Sequence, residues 1–475
     1  MKHYRLAASI LATSIVASAS HAADLIAIGT MSGTFEDFAT ETAGPLENGV
    51  PGNGFGGIGS GLAYAGGTTF LALPDRGPNA NPYNAAVDDT TSYIARFQTL
   101  SLSLAPTHDP VHNLPFTVTP MLTNSTLLSS PSPLAYGTGA GLGFRADGVT
   151  PLGSGVPALN AIDHTNYFTG RSDNFDASRP STYVNNARLD PEGIRVSNNG
   201  KSVFISDEYG PFVHEFNRHT GKRVKSFTLP ANLAITNLSP EKSVEIAGNS
   251  IGRVTNKGME GLAITPDGKM LVGIMQANLE QDKKGSLRIV TIEIGNGQTH
   301  EYAYQLTDGS GASEILAVND HQFLVDERDG NGLGDTPLLS DKASAAKIKR
   351  LFLIDLQGAV DVTEVTGPNA DLSSYAVPKT LFLDMVAKLK GAGINALLIP
   401  SKIEGIAFGQ DVAIDGETKH TLFIANDNDF LATVADPFKQ PADATRGMIE
   451  NPNVFYVFAF SDAELPGFVP QQIKP

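Results

Sequence analysis

Residues 189–211 read LDPEGIRVSNNGKSVFISDEYGP, and this stretch decides the fold. An acidic turn, Asp190-Pro191-Glu192-Gly193, leads into a short apolar run from Ile194 to Val196. A polar turn, Asn198-Asn199-Gly200-Lys201, follows. A second apolar run, Ser202 to Ser206, then ends in the acidic pair Asp207-Glu208. Two alternating runs around an Asn/Gly turn are a hairpin signal. The start of one strand and the end of its antiparallel partner lie side by side, so the carboxylates gather at one edge of a sheet.

Working outward, the same unit recurs. Gly258-Met259-Glu260-Gly261 leads through Pro266-Asp267-Gly268-Lys269 to Met270–Met275. Ala312-Ser313-Glu314-Ile315 leads to Gln322–Val325 and then Asp326-Glu327-Arg328-Asp329. Lys402-Ile403-Glu404-Gly405 leads to Thr421–Ala425 and then Asn426-Asp427-Asn428-Asp429. An early degenerate copy, Gly59-Ser60-Gly61-Leu62, leads to Thr69–Leu73 and Asp75-Arg76-Gly77, with Ser60 in place of Glu. One such Glu is most simply a turn cap. Four at the same point of the unit, three of them before Gly, predict a shared acidic centre. Strand pairs repeated at long spacing predict an all-β radial array, a propeller of about six blades. An N-terminal strand near Leu25–Gly29 is expected to pair with Val454–Phe460 and shut the ring, which removes two unpaired edges.

Five motifs in order, Asp75-Arg76-Gly77-Pro78, Asp190-Pro191-Glu192-Gly193, Ser206-Asp207-Glu208, Asp326-Glu327-Arg328-Asp329 and Lys402-Ile403-Glu404-Gly405, resemble the phytase-like domain family, also called "esterase-like activity of phytase" proteins. The resemblance runs from about residue 50 to about residue 460. It implies a β-propeller and a phosphoester-hydrolysing role.

Residues 1–22 have the form of a secretory signal: Lys2 and Arg5, an apolar stretch from Leu6 to Ala19, then Ser20-His21-Ala22 before Ala23. Residues 23–475 are then expected to form one phytase-like domain, periplasmic or secreted. No later run reaches the ~18 apolar residues of a membrane span. There is no cysteine, which excludes disulfide and thiol chemistry. The chain carries 34 basic and 50 acidic residues, and the signal takes two basic residues with it, deepening the net charge from −16 to −18. Such a field disfavours nucleic acid and favours cations.

Several local patterns carry no such weight. Gly52, Gly54 and Gly57 have dinucleotide-loop spacing, but no strand precedes them and no helix follows. Gly248-Asn249-Ser250-Ile251-Gly252 matches a nucleophile elbow outside any α/β pattern. The ten histidines lack ligand spacing. The loop from Glu327 to Leu338 imitates a calcium loop with Glu327, Asp329, Asn331 and Asp335, but has Leu338 where an EF-hand has its Glu. Residues 105–190 read as a long insertion, and Ser340–Lys349 and Lys379–Lys390 as helices.

The oxygen-rich turns suit a hard divalent cation, calcium. Glu192, Glu260, Glu314 and Glu404 are expected around the axis, with Asp207, Glu208, Asp326, Glu327 and Asp427 nearby. Asp75 and Asp329 are read as metal ligands or as supports for the adjacent arginines. Arg76 and Arg328 are the expected phosphate clamps, and Lys257 and Lys402 are further candidates. Glu192 or Glu260 would orient the attacking water. The chain is expected to be a monomer acting on a small phosphorylated substrate, without nucleic acid or membrane insertion. A non-catalytic periplasmic module binding a ligand or protein on the same face is the alternative. A purely structural acidic ring, held by buried hydrogen bonds, is the plainest reading.

Overall fold

The computed structural model describes residues 23–78 and 82–474; the expected signal segment lies outside the described residues. Five sheets, each with a run of four strands, form a β-propeller. Blade one comprises Gly61–Tyr64, Thr69–Leu73, Arg96–Ala105 and Thr117–Leu127. Blade two comprises Pro191–Val196, Ser202–Asp207, Phe212–Asn217 and Arg223–Thr228. Blade three comprises Met259–Ile264, Met270–Met275, Ser286–Glu293 and Thr299–Gln305. Blade four comprises Gly311–Ala317, Gln322–Arg328, Lys349–Asp355 and Lys379–Asp384. Blade five comprises Lys402–Phe408, Glu417–Asp427, Asn453–Phe460 and Asp24–Met31.

The five sequence units are the first two strands of the five blades. Among the described residues there is no sixth four-stranded sheet, so the expected count of about six becomes five. Residues 128–190 make only a two-stranded piece, Ser129–Ser130 with Asn166–Tyr167, and a short helix, Leu159–Asp163. The ring closes as expected: Asp24–Met31 runs antiparallel to Asn453–Phe460, with Leu25 opposite Phe458 and Gly29 opposite Phe455.

The core lies between blades rather than at the axis. Alternation along each strand sends neighbouring side chains to opposite sheet faces. Val203 and Ile205 of blade two pack with Leu71 and Phe97 of blade one, while Phe204 packs with Leu271 and Val290 of blade three. The same holds around the ring, with one buried apolar cluster at each of the five blade junctions. The first strands approach so closely that glycine is required at the crossings. A Cβ at Gly193 would sit 2.6 Å from Leu262 Cβ, and one at Gly261 2.6 Å from the Ile315 nitrogen.

Two expected helices are corrected. Residues 340–348 have no helix, and Lys349 opens a strand. Lys379–Asp384 is the outer strand of blade four, with Leu381 exposed and Phe382 and Leu383 buried; the helix is confined to Met385–Gly391, where the Asp384 carboxylate accepts the Ala387 N–H.

Candidate functional site

Each blade contributes two positions to one end of the axis, and the strand register identifies them. On the first strand, the ladder skips one residue at Glu260, Ser313 and Glu404, and the pair Glu192-Gly193 in blade two. Ser60 takes this place in blade one, since Gly59 and Gly61 both face Leu73. At a bulge the extra residue is unpaired and its side chain is re-aimed. The second position is at or just past the end of the second strand: Asp75, Glu208, Gln276, Arg328 and Asp427. All five of these residues line a polar cavity of about 360 Å³, together with Glu192, Glu260 and Glu404. Arg76, Lys257, Lys402 and Asp429 complete its charged lining, giving seven carboxylates against four cations.

Glu192, Glu260 and Glu404 converge, with one oxygen from each lying within 4.8 Å of the others. All three are buried, at 8, 3 and 3% exposure. Gln276 donates to Glu260 Oε1 at 2.6 Å, while Glu260 Oε2 is buried without a partner. Arg328 donates to Glu404 and lies 3.7 Å from Glu260. The Glu192 carboxylate makes no hydrogen bond or ion pair among the described residues. Burial, and then the charge of Glu260, push the Glu192 carboxyl well above its ordinary range. Burial and the charges of Glu208 and Glu404 do the same to Glu260. Glu208 accepts the Gly258 N–H at 2.7 Å, and burial and Asp190 push it up to about 7.

The cations of this cavity are mostly engaged. Arg76 donates to Asp190 from both its guanidinium, at 2.9 Å, and its backbone N–H, at 3.1 Å. Lys402 donates to Asp427 at 2.8 Å and Asp429 at 2.6 Å. Lys257 is exposed at the rim and has no ion-pair partner among the described residues.

Five expected ligands are elsewhere. Glu314 stands one place further along its strand than the other glutamates: it faces Asp326, as Gly261 faces Ile274 and Gly405 faces Ala425. A one-residue slip sends a side chain to a different environment, and Glu314 turns to the axis, 2.9 Å from Arg195. Asp207 caps the turn after blade two's second strand, accepting N–H bonds from Asp190, Tyr209 and Gly210. Glu327 points the other way from Arg328, to Lys379 and the Tyr304 hydroxyl. Asp326 lies one step deeper than the cavity and accepts the Ser313 hydroxyl at 3.0 Å. Asp329 holds Lys349, whose ammonium also donates to the Asn331 and Ser401 carbonyls. The calcium-like loop is thus built around a buried lysine. Asp190, Gln276 and Asp429 were missed as site residues, although Asp190 and Asp429 sit within the quoted motifs. Gln276 shares the blade position of Glu208 and Asp427, a signal visible only once the units are aligned from their second strands. Ser250 is exposed and follows the helix Lys242–Gly248 instead of preceding one, so it is no nucleophile elbow.

Below the cavity the axis is plugged. Arg195 donates to the carbonyls of Leu62, Ile194, Ile315 and Ile406, at 2.7, 2.6, 3.0 and 3.5 Å. Glu314 accepts the Leu262 N–H at 3.0 Å, so the pair touches all five first strands. The tail covers the far end: Val469 donates to the Val318 carbonyl, and Gln471 to the Val196 carbonyl.

A family model described as phytase-like, esterase-like activity of phytase, matches residues 53–430. An uncharacterized secreted protein of Arthroderma benhamiae is 28% identical over 179 residues, covering 30% of this chain and 35% of that one. The chain therefore spans about a third of the length of this curated relative. Among solved structures, a periplasmic gluconolactonase of Pseudomonas aeruginosa aligns over 92% of this chain and 99% of that chain, at 12% identity and a TM-score of 0.31. A putative 6-phosphogluconolactonase of Bacteroides uniformis aligns over 84% and 88%, at 13% identity and a TM-score of 0.28. Likenesses this distant carry no argument about activity, and the propeller rests on its own strand pairing.

Proposed function

The chain belongs to the phytase-like family, and on that premise we propose that it is an exported hydrolase of small phosphoesters that works with a divalent cation, calcium. The observation that carries this reading is the convergence of Glu192, Glu260 and Glu404, buried together with one oxygen unpartnered. The site residues fit such a cation. The donors are all oxygens, as a hard cation requires. Like charges packed this closely also oppose their own ionisation unless a cation offsets them. When bound, calcium would offset that repulsion and draw charge from a phosphoryl group.

The remaining work falls to the chain. Arg76, anchored on Asp190, and Arg328, anchored on Glu404, present guanidinium edges to the cavity and hold phosphate oxygens. Lys257 attracts the anion at the rim. Glu192, without a partner of its own, takes a proton from the water that attacks phosphorus. The ester oxygen leaves as its bond to phosphorus breaks, and Glu208 protonates it. A carboxyl pushed up to about 7 is suited to that donation near neutral pH. The signal-like N-terminus, and the description of the Arthroderma benhamiae relative as secreted, support export.

One observation favours a second reading. Arg76, Arg328 and Lys402 already hold carboxylates, so Lys257 is the cavity's unpaired cation among the described residues. A module that binds a ligand without turnover needs no more than this. Hydrolysis of a panel of phosphomonoesters and phosphodiesters, with and without calcium, separates the two on wild type and Glu192→Gln. Activity lost with either calcium or Glu192 supports the hydrolase. Ligand binding with no turnover by wild type supports the module.

A further inference from the structure

Three overlapping carboxylate groups lie in and beside the cavity: Glu192–Glu260–Glu404, Asp75–Asp190–Glu192 and Asp75–Asp427–Asp429. Within each, three oxygens lie within 4.8 Å of one another. They differ in what is already there. Asp190 carries Arg76. Asp427 and Asp429 share the Lys402 ammonium, at 2.8 and 2.6 Å. In the glutamate triad two members are short of partners among the described residues: Glu192 has none, and Glu260 Oε2 is buried without one; Asp75, common to the other two triads, accepts the Gly77 N–H at 2.9 Å. A second oxygen cage of this chain is also filled by a lysine. Lys349 sits among Asp329, the Asn331 carbonyl and the Ser401 carbonyl.

We infer that the protein takes one divalent cation per chain, at Glu192–Glu260–Glu404, and that Lys402 is a built-in cation filling the neighbouring aspartate triad in place of a second ion. This rests on the cation reading above and adds its location and its count. A triad that must hold an ion needs open oxygens, whereas a triad served by a tethered ammonium does not. The tether costs no association entropy, so a free ion competes for Asp427 and Asp429 only when the ammonium is removed.

Calcium titration calorimetry on protein stripped with EDTA counts the ions. The expected result is one calcium per chain for wild type and for Lys402→Arg, two for Lys402→Met, and none for Glu260→Gln. Should Lys402→Met unfold in EDTA, recovery of its β-sheet circular dichroism at two calcium per chain supports the inference equally, and no recovery overturns it. Two or more ions on wild type, one ion on Lys402→Met, or one ion retained by Glu260→Gln would each overturn the inference while leaving a cation-binding protein. No calcium on wild type removes the cation reading itself, and the inference with it.

Discussion

Two layers of buried charge share the axis of this ring. In the upper layer, Glu192, Glu260 and Glu404 face one another across a cavity. In the lower, Glu314 faces Arg195 and two backbone N–H groups. All four glutamates belong to the same repeated unit, and only one residue of register divides them. Glu314 is pushed up to about 7 by burial, with Arg195 holding it down. Glu192 and Glu260 go well above their ordinary range, because burial is joined there by like charges. The lower layer is architecture, its charges spent on joining strands. The upper layer is left with attraction to spare, which is what a ligand site requires.

The largest expected effect breaks the lower layer. Arg195→Met should cost ~3–5 kcal/mol, because it strands Glu314 and four carbonyls at the axis. Denaturant midpoints measure it, and a loss below 1 kcal/mol would mean the plug is incidental. In the upper layer the sign reverses. Glu192→Gln should lower phosphoester turnover by about 10²-fold, equivalent to ~2.7 kcal/mol of barrier, without lowering stability in EDTA. A variant that is both inactive and unstable would merge the two layers into one structural role. Calcium at ten times its dissociation constant should stabilise wild type by about 1.4 kcal/mol, and Glu260→Gln not at all, in paired thermal melts.

Acidity should divide the metal-free protein in the same way. Asp207 and Glu208 both titrate near 7 when folded, against ordinary values of 3.8 and 4.5. The folded chain therefore keeps protons that the unfolded chain has released. That contribution is complete below about 4 and is lost as the pH rises through 7. In EDTA, stability should rise by at least ~1 kcal/mol on going from pH 7 to pH 5, a window that calcium should flatten. Unfolding followed at both pH values, with and without calcium, tests this. The smallest effect lies outside both layers: Ser250→Ala should change turnover by less than twofold and stability by less than ~0.5 kcal/mol.

Much of this was legible in the chain. The repeated unit located all five first strands, and the aromatic strand Val454–Phe460 found its N-terminal partner, because alternation and turn chemistry are local. The blade count was not legible, since nothing local distinguishes a long insertion from an absent blade. Nor was the place of Glu314. Its unit, Ser313-Glu314-Ile315, aligns by eye with Met259-Glu260-Gly261, yet the missing glycine marks the shift: Glu314 occupies the glycine's place. The Lys349 cage was unreadable because the cation lies twenty residues from the aspartate it neutralises.

Blade five has a consequence for how the molecule is made. Its outer strand, Asp24–Met31, has no sheet to join until Asn453–Phe460 has been synthesised. A chain cut short before residue 453 lacks not one strand of that blade but two, and part of the apolar faces of blades one and four stays open to water. Aggregation and proteolysis act on just such surfaces. The ring thus checks its own completeness: a truncated product cannot hide its core, and cellular clearance can remove it without recognising any particular sequence.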